Sequence, residues 1–172
     1  MTVLEKKIVK KKQRLISIDP SINNLGMCIW DLHTGSILLY KLVHPIIGMR
    51  ENEFNKSKSM LDQLKQWIQT YGVNRMIMEV PEHWAVGGFQ ARETGSMTKL
   101  SFVVGFIYSL VYDLEQVQLV TPAGWKGQCP KQVMVNRLKD EYLKNYNIDL
   151  SKIDANVADA IGIGHYYING TI

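Results

Sequence analysis

The chain has 172 residues, 46% of them hydrophobic and 21% charged, a composition that predicts one globular domain with a real core and excludes disordered and fibrous classes. Its formal charge of +4 suits a polyanionic partner without identifying one. The longest apolar stretch, residues 102–112, is interrupted by Ser109 and followed by Asp113, so it is too short for a membrane span and reads as a buried helix.

Lys6, Lys7, Lys10, Lys11, Lys12 and Arg14 give residues 1–13 and their border the character of a basic arm. No apolar run or small-residue cleavage site follows it, so a secretory signal is not expected and the bacterial cytoplasm is. Residues 14–172 are expected to form one domain. Residues 14–19 are a short β-rich run that ends in a turn over residues 20–24, which delivers Asp19 to a strand tip. Residues 25–30 read as a second strand, His33 to Gly35 as a hairpin turn and residues 36–43 as a third strand, an antiparallel meander.

Pro45 and Gly48 break that pattern, after which Phe54, Met60, Leu61, Leu64, Trp67, Ile68 and Tyr71 fall on one helical face that Gly72 stops. Residues 76–80 form a compact strand against Pro81 and put Glu79 at its last or next-to-last position. A long helix is expected over residues 91–112, a fifth strand over 116–120 ending at Thr121-Pro122, a helix over 131–146, and a last helix from about Ser151 or Asp154 to Tyr167. The order predicts an α/β fold: a mixed five-stranded sheet, antiparallel meander first and parallel strands after, flanked by helices.

Cys28 and Cys129 are too few for a disulfide framework and lack the paired spacing of a zinc site. Reduced, structural thiols are expected. His33, His44, His83 and His165 are scattered, so a bound metal must be held by oxygen. Asp19, Glu79 and Asp159 each read, taken alone, as solvated charges. Together they differ: two end strands, and Asp159 sits among Val157, Ala158, Ala160 and Ile161, where a merely solvated acid is out of place. Three acids brought to one place raise one another's pKa unless a cation neutralises them. Mg²⁺ is the natural cation, with Mn²⁺ able to substitute, and two such ions can activate water against a phosphodiester.

Four segments then carry a resemblance. Ile16-Ser-Ile-Asp-Pro-Ser-Ile-Asn-Asn-Leu-Gly26, Ile77-Met-Glu-Val-Pro81, Pro122-Ala-Gly-Trp-Lys-Gly127 with Pro130-Lys131, and Ala158-Asp-Ala-Ile-Gly-Ile-Gly164 resemble, in that order, the RuvC-type Holliday-junction resolvases of the ribonuclease H-like superfamily, especially small phage-encoded members. The resemblance implies a ribonuclease H-like fold and a metal-dependent endonuclease that cuts four-way DNA junctions at paired symmetric positions as a homodimer. It also implies that Asp19, Glu79 and Asp159 bind metal and that Lys126 and Lys131 face the scissile phosphate.

Two departures stand out. Ser21 replaces a glycine common after the Asp-Pro of the family, adding a hydroxyl that can bond a phosphate or cap the turn. Where the family carries an acid or histidine three residues before the helical aspartate, this chain has Asn156. At roughly 100° per residue Asn156 shares the face of Asp159 and Asp154 does not, so Asn156 is the expected fourth ligand. Ser151 is read as the N-cap, with Asp154 in a capping box near the positive helix end.

The loop after Glu79 offers Trp84 and Phe89 as stacking surfaces for an unpaired base, and Arg92 as a further phosphate contact. Half-buried loop anchors explain the two aromatics equally well. Glu82, weighed against a part in the metal site, reads as a solvated loop acid, and His83 and His165 read as local hydrogen-bonding residues rather than ligands. Gly162 and Gly164 make sense in the last helix if it lies close against another backbone, fixing Asp159 beside Asp19. The competing readings are a ribonuclease H-like nuclease acting on other branched DNA or on RNA–DNA hybrids, and a junction-binding module without catalysis.

Overall fold

A computed structural model of the chain describes residues 12–46, 52–81, 95–127, 129, 133, 146, 148 and 153–170. Strand β1 (Arg14–Pro20) pairs antiparallel with β2 (Leu25–Asp31), and β2 pairs antiparallel with β3 (Ser36–Val43). The β2–β3 turn is held by the Asp31 side chain, whose Oδ1 accepts from His33 N at 2.9 Å and Thr34 N at 3.3 Å, while Gly35 takes the left-handed conformation at φ 68°. Helix α1 (Glu53–Tyr71) is capped by Asn52, which accepts from Asn55 N, and is stopped by Gly72 at φ 61°.

Strand β4 (Arg75–Glu79) lies parallel to β1 on one side and to β5 (Gln116–Val120) on the other, with helix α2 (Ser96–Val111) crossing between them. A one-turn helix α3 (Pro122–Lys126) follows β5, and α4 (Ala155–Asn169) closes the described chain. The sheet order is β3-β2-β1-β4-β5, the mixed five-stranded sheet that the pattern predicts.

Side chains alternate along each strand, so β1 and β4 feed two cores. Ile16, Ile18, Met76 and Met78 point to one face, where Met60 and Leu64 of α1 and Val103, Ile107 and Val111 of α2 pack on them. Leu15 and Ile77 point to the other, against Val157, Ile161 and Ile163 of α4 and Trp125 of α3. Burial on both faces explains why residues 15–18 read as a continuous apolar run broken only by Ser17. That hydroxyl is satisfied: it accepts from Trp30 Nε1 at 3.0 Å and donates to the Cys28 carbonyl at 3.3 Å.

Helix α4 is seated at two close approaches. A Cβ on Gly26 of β2 would stand 1.9 Å from the Asn156 carbonyl oxygen, and one on Gly164 of α4 would stand 2.1 Å from Trp30 Nε1 and 2.7 Å from Ser17 Oγ. The last helix does lie close against another backbone, but at Gly26 of β2; Gly164 clears an indole and a hydroxyl instead.

Three further expectations change. The helix expected from Ala91 is helical from Ser96, because Gly95 stands in the left-handed region at φ 68° and interrupts any continuous run; residues 91–94 lie outside the described residues. Helix α4 begins at Ala155 with Asp154 itself as N-cap, accepting from Asn156 N at 2.8 Å, so Ser151 does not cap it. The turn of α3 lies between β5 and the helix expected over 131–146, where the sequence pattern predicts no element. Thr121 caps it through Gly124 N at 3.1 Å and Pro122 fills its first position. The basic arm through residue 11 and most of the helix expected over 131–146 lie outside the described residues. Cys28 is buried, Cys129 is half-buried, and both are free thiols; burial raises the Cys28 pKa well above its ordinary value and leaves it unreactive. No helix among the described residues is long and apolar enough to cross a membrane.

Candidate active site

Asp19 is the next-to-last residue of β1 and sits opposite Gly26 of β2. Ile18 pairs with Met78, so Asp19 and Glu79 follow side by side at the ends of two parallel strands. Because Ile18 and Met78 face α1 and α2, the alternation turns Asp19 and Glu79 to the α4 side. Asp159 comes to that side from the helix. Asp19 is 8% exposed and Asp159 5%, a depth at which carboxylates need a compensating charge or donor.

Glu79 shows how two of the acids interact. Burial raises its pKa and the nearby Asp159 charge raises it further, while the Trp125 indole and Lys126 pull the other way. Trp125 Nε1 donates to Glu79 Oε2 at 2.5 Å. Lys126 Nζ stands 3.7 Å from the same oxygen and 4.8 Å from the centroid of the Trp125 ring. Both come from α3, whose cap and proline fix one helical turn directly beyond β5. The β5 neighbour of Glu79 is Val120, and Val80 N donates to the Val120 carbonyl at 2.8 Å. The turn is thereby brought beside the end of β4.

The donor chemistry fits a hard divalent ion: oxygen ligands only, two of them buried, and a third whose ionisation is opposed by burial and by a neighbouring acid. Among the described residues no three His, Cys, Asp or Glu side chains stand close enough together to hold one ion. The Glu79 carboxylate is held by Trp125 and Lys126.

Asn156 lies in the first turn of α4, and its Nδ2 donates to Asn24 Oδ1 at 2.6 Å. It thus ties the helix start to the β1–β2 turn. Ser21 is half-buried in that turn. Lys131, Trp84, Phe89 and Arg92, with Glu82 and His83, lie outside the described residues. His165 is buried on α4, where burial lowers its pKa, in keeping with an internal hydrogen-bonding residue.

Three residues at this site escape the sequence reading. Trp125 bonds Glu79, Asn24 bonds Asn156, and Gly26 admits the backbone of α4. The Thr-Pro pair before Trp125 is an N-cap and first-position signature that announces α3; the partners of Asn24 and Gly26 are set by tertiary contact and leave no local signal.

No protein-family model and no curated protein matches the sequence. Similarity lies in three dimensions. The chain superposes on Thermus thermophilus RuvC in complex with a Holliday junction substrate with a TM-score of 0.69 at 14% identity, over 92% of this chain and 97% of that one. Fowlpox virus resolvase, in complex with substrate Holliday junction DNA, gives 0.59 at 14% identity over 91% and 99% of the two chains. The yeast mitochondrial Holliday junction resolvase Ydc2 gives 0.58 at 17% identity over 91% and 78%. The chain shares the fold of these three Holliday junction resolvases.

Proposed function

We propose that this chain is a divalent-metal-dependent endonuclease that cuts four-way DNA junctions as a homodimer. The observation that carries the reading is a set of three acids on one face of a resolvase-type sheet, Asp19 and Asp159 buried and Glu79 electrostatically coupled to Asp159. Two of the similar structures hold Holliday junction DNA, which supports that substrate. Asp19, Glu79 and Asp159 would hold Mg²⁺ or Mn²⁺, two ions per site, with Asn156 offering an uncharged oxygen. Bound there, the ions supply an activated water and neutralise charge on the departing oxygen.

The chain's own groups do the rest. The buried carboxylates keep the site's ligands oriented before substrate arrives. Lys126 and Lys131 contact the phosphates that flank the scissile bond, and Arg92 and Ser21 extend that contact. Trp84 and Phe89 stack on bases unpaired at the junction centre. Paired symmetric cuts need two sites related by a two-fold axis. The outer faces of α1 and α2 carry the apolar surface for such a pairing: Phe54, Phe102 and Tyr108 are exposed, and Phe106 meets Phe102 at a tilt, 4.4 Å between ring centroids, and Phe54 edge-to-face at 5.7 Å.

The test is incubation of purified protein with four-way junction, linear duplex, flap and RNA–DNA hybrid in Mg²⁺, Mn²⁺, Ca²⁺ or chelator. Paired nicks in the junction alone, with Mg²⁺ or Mn²⁺ only, are the expected result. Preference for the flap or the hybrid assigns a different ribonuclease H-like substrate, and junction binding without cleavage in any metal removes the enzymatic reading.

A further inference from the structure

We propose that Trp125 is a positioning residue for the cleavage site, its indole N–H fixing the Glu79 carboxylate and its ring face carrying Lys126. The inference rests on the nuclease reading above and adds to it a residue to which neither sequence nor fold assigns a role.

Trp125 is 3% exposed although α3 is a single turn at the edge of the sheet. Its ring packs among Leu15, Ile77, Val120 and Val157, which fixes the direction of its one polar atom. That atom, Nε1, finds Glu79 Oε2 at 2.5 Å. A buried indole N–H needs an acceptor, and here the acceptor is the acid at the tip of β4. The ring meanwhile lies under the Lys126 ammonium, 4.8 Å from the centroid, within the reach of a cation–π contact. One rigid side chain therefore holds two charged groups of the site in register: the acid by its edge, the lysine by its face. Phenylalanine or leucine would keep an apolar side chain in the core, though a smaller one, and neither carries an N–H at that edge. The carboxylate would then be free to rotate about its own torsions, and the ligand set would lose its fixed orientation.

The experiment compares wild type, Trp125→Phe, Glu79→Gln and the double variant, with Mn²⁺ titrated by calorimetry, junction affinity measured in Ca²⁺, single-turnover cleavage in Mg²⁺, and a melting curve for each. Trp125→Phe is expected to weaken Mn²⁺ binding and slow cleavage about tenfold, the scale of one hydrogen bond to a charged group, with junction affinity unchanged. In the Glu79→Gln background the same substitution is expected to have no further effect on Mn²⁺ affinity, because its influence passes through that carboxylate.

Wild-type Mn²⁺ affinity and rate in Trp125→Phe overturn the proposal. So does a Mn²⁺ defect that persists undiminished without the Glu79 carboxylate, since it would mark a packing effect. If Trp125→Phe does not fold, β-(3-benzothienyl)alanine at position 125 keeps the bicyclic shape and removes only the N–H, and the same outcomes decide. Absence of junction cleavage by the wild type would count against the nuclease reading alone, because the Mn²⁺ cycle still reports on the contact between Trp125 and Glu79.

Discussion

The sheet face under α1 and α2 is filled by Ile16, Ile18, Met76, Met78, Met60, Leu64 and Ile107, all buried and all apolar. The face under α4 holds Leu15, Ile77, Trp30 and Ile161, and among them Ser17, Asp19, Asp159 and His165, also buried. The first face is ordinary hydrocarbon packing, which any set of side chains of the right volume can supply. On the second, two close approaches at Gly26 and Gly164 seat a helix that carries an acid into the interior. Burying that acid opposes folding unless a cation or donor compensates. One face is packed by hydrocarbon alone; the other buries Asp19 and Asp159 within its hydrocarbon packing, a cost in stability that the proposed chemistry would account for.

The largest expected effect comes from breaking the polar face chemically. Asp19→Asn and Glu79→Gln should each slow single-turnover junction cleavage on the order of 10³-fold while sparing affinity in Ca²⁺, since affinity arises from phosphate contacts. Gel-shift and quenched-flow measurements on the same preparations separate the two.

Breaking the apolar face should do the reverse. Leu64→Ala opens a cavity under α1 and is expected to cost about 2–5 kcal/mol in urea unfolding, with the cleavage rate per folded molecule unchanged. A lowered rate per folded molecule would show that the two faces are not separable. Between these extremes lies the seat of α4. Gly26→Ala puts a methyl group onto the Asn156 carbonyl and is expected to cost about 1–3 kcal/mol by overpacking, and to lower activity as well, because the helix that shifts is the one bearing Asp159.

Much of this contrast is legible in the sequence, for definite reasons. Asp19 and Glu79 close apolar strands and are followed by or lie near Pro20 and Pro81, so their place at strand tips follows from local pattern. Asp159 betrays itself by its apolar neighbours on α4. What the pattern cannot supply is which side chain crosses from one element to another. Trp125 reaches β4 only because β4 and β5 pair in parallel, Asn156 reaches Asn24 across 132 positions of sequence, and Gly164 clears an indole from β2. The start of α4 is a subtler case: Ser151 and Asp154 both suit an N-cap, and the choice between them falls to the tertiary seat of the helix, which favours Asp154.

The smallest expected effects lie at that helix start. Asp154→Ala removes the cap and should cost about 1 kcal/mol in a melting or urea curve with cleavage intact. Asn156→Asp adds a charge beside the acids and is expected to lower the Mg²⁺ concentration needed for half-maximal cleavage; a higher requirement would mean that the Asn24 tie outweighs the added charge.

The measurement that tests the central claim most directly is single-turnover cleavage of a four-way junction by Asp159→Asn, with its melting temperature recorded in the absence of divalent ions. If the α4 face trades stability for chemistry, the variant is folded, melts no lower than wild type, binds the junction in Ca²⁺ and does not cut it in Mg²⁺. Cleavage at the wild-type rate by the folded variant would contradict the account.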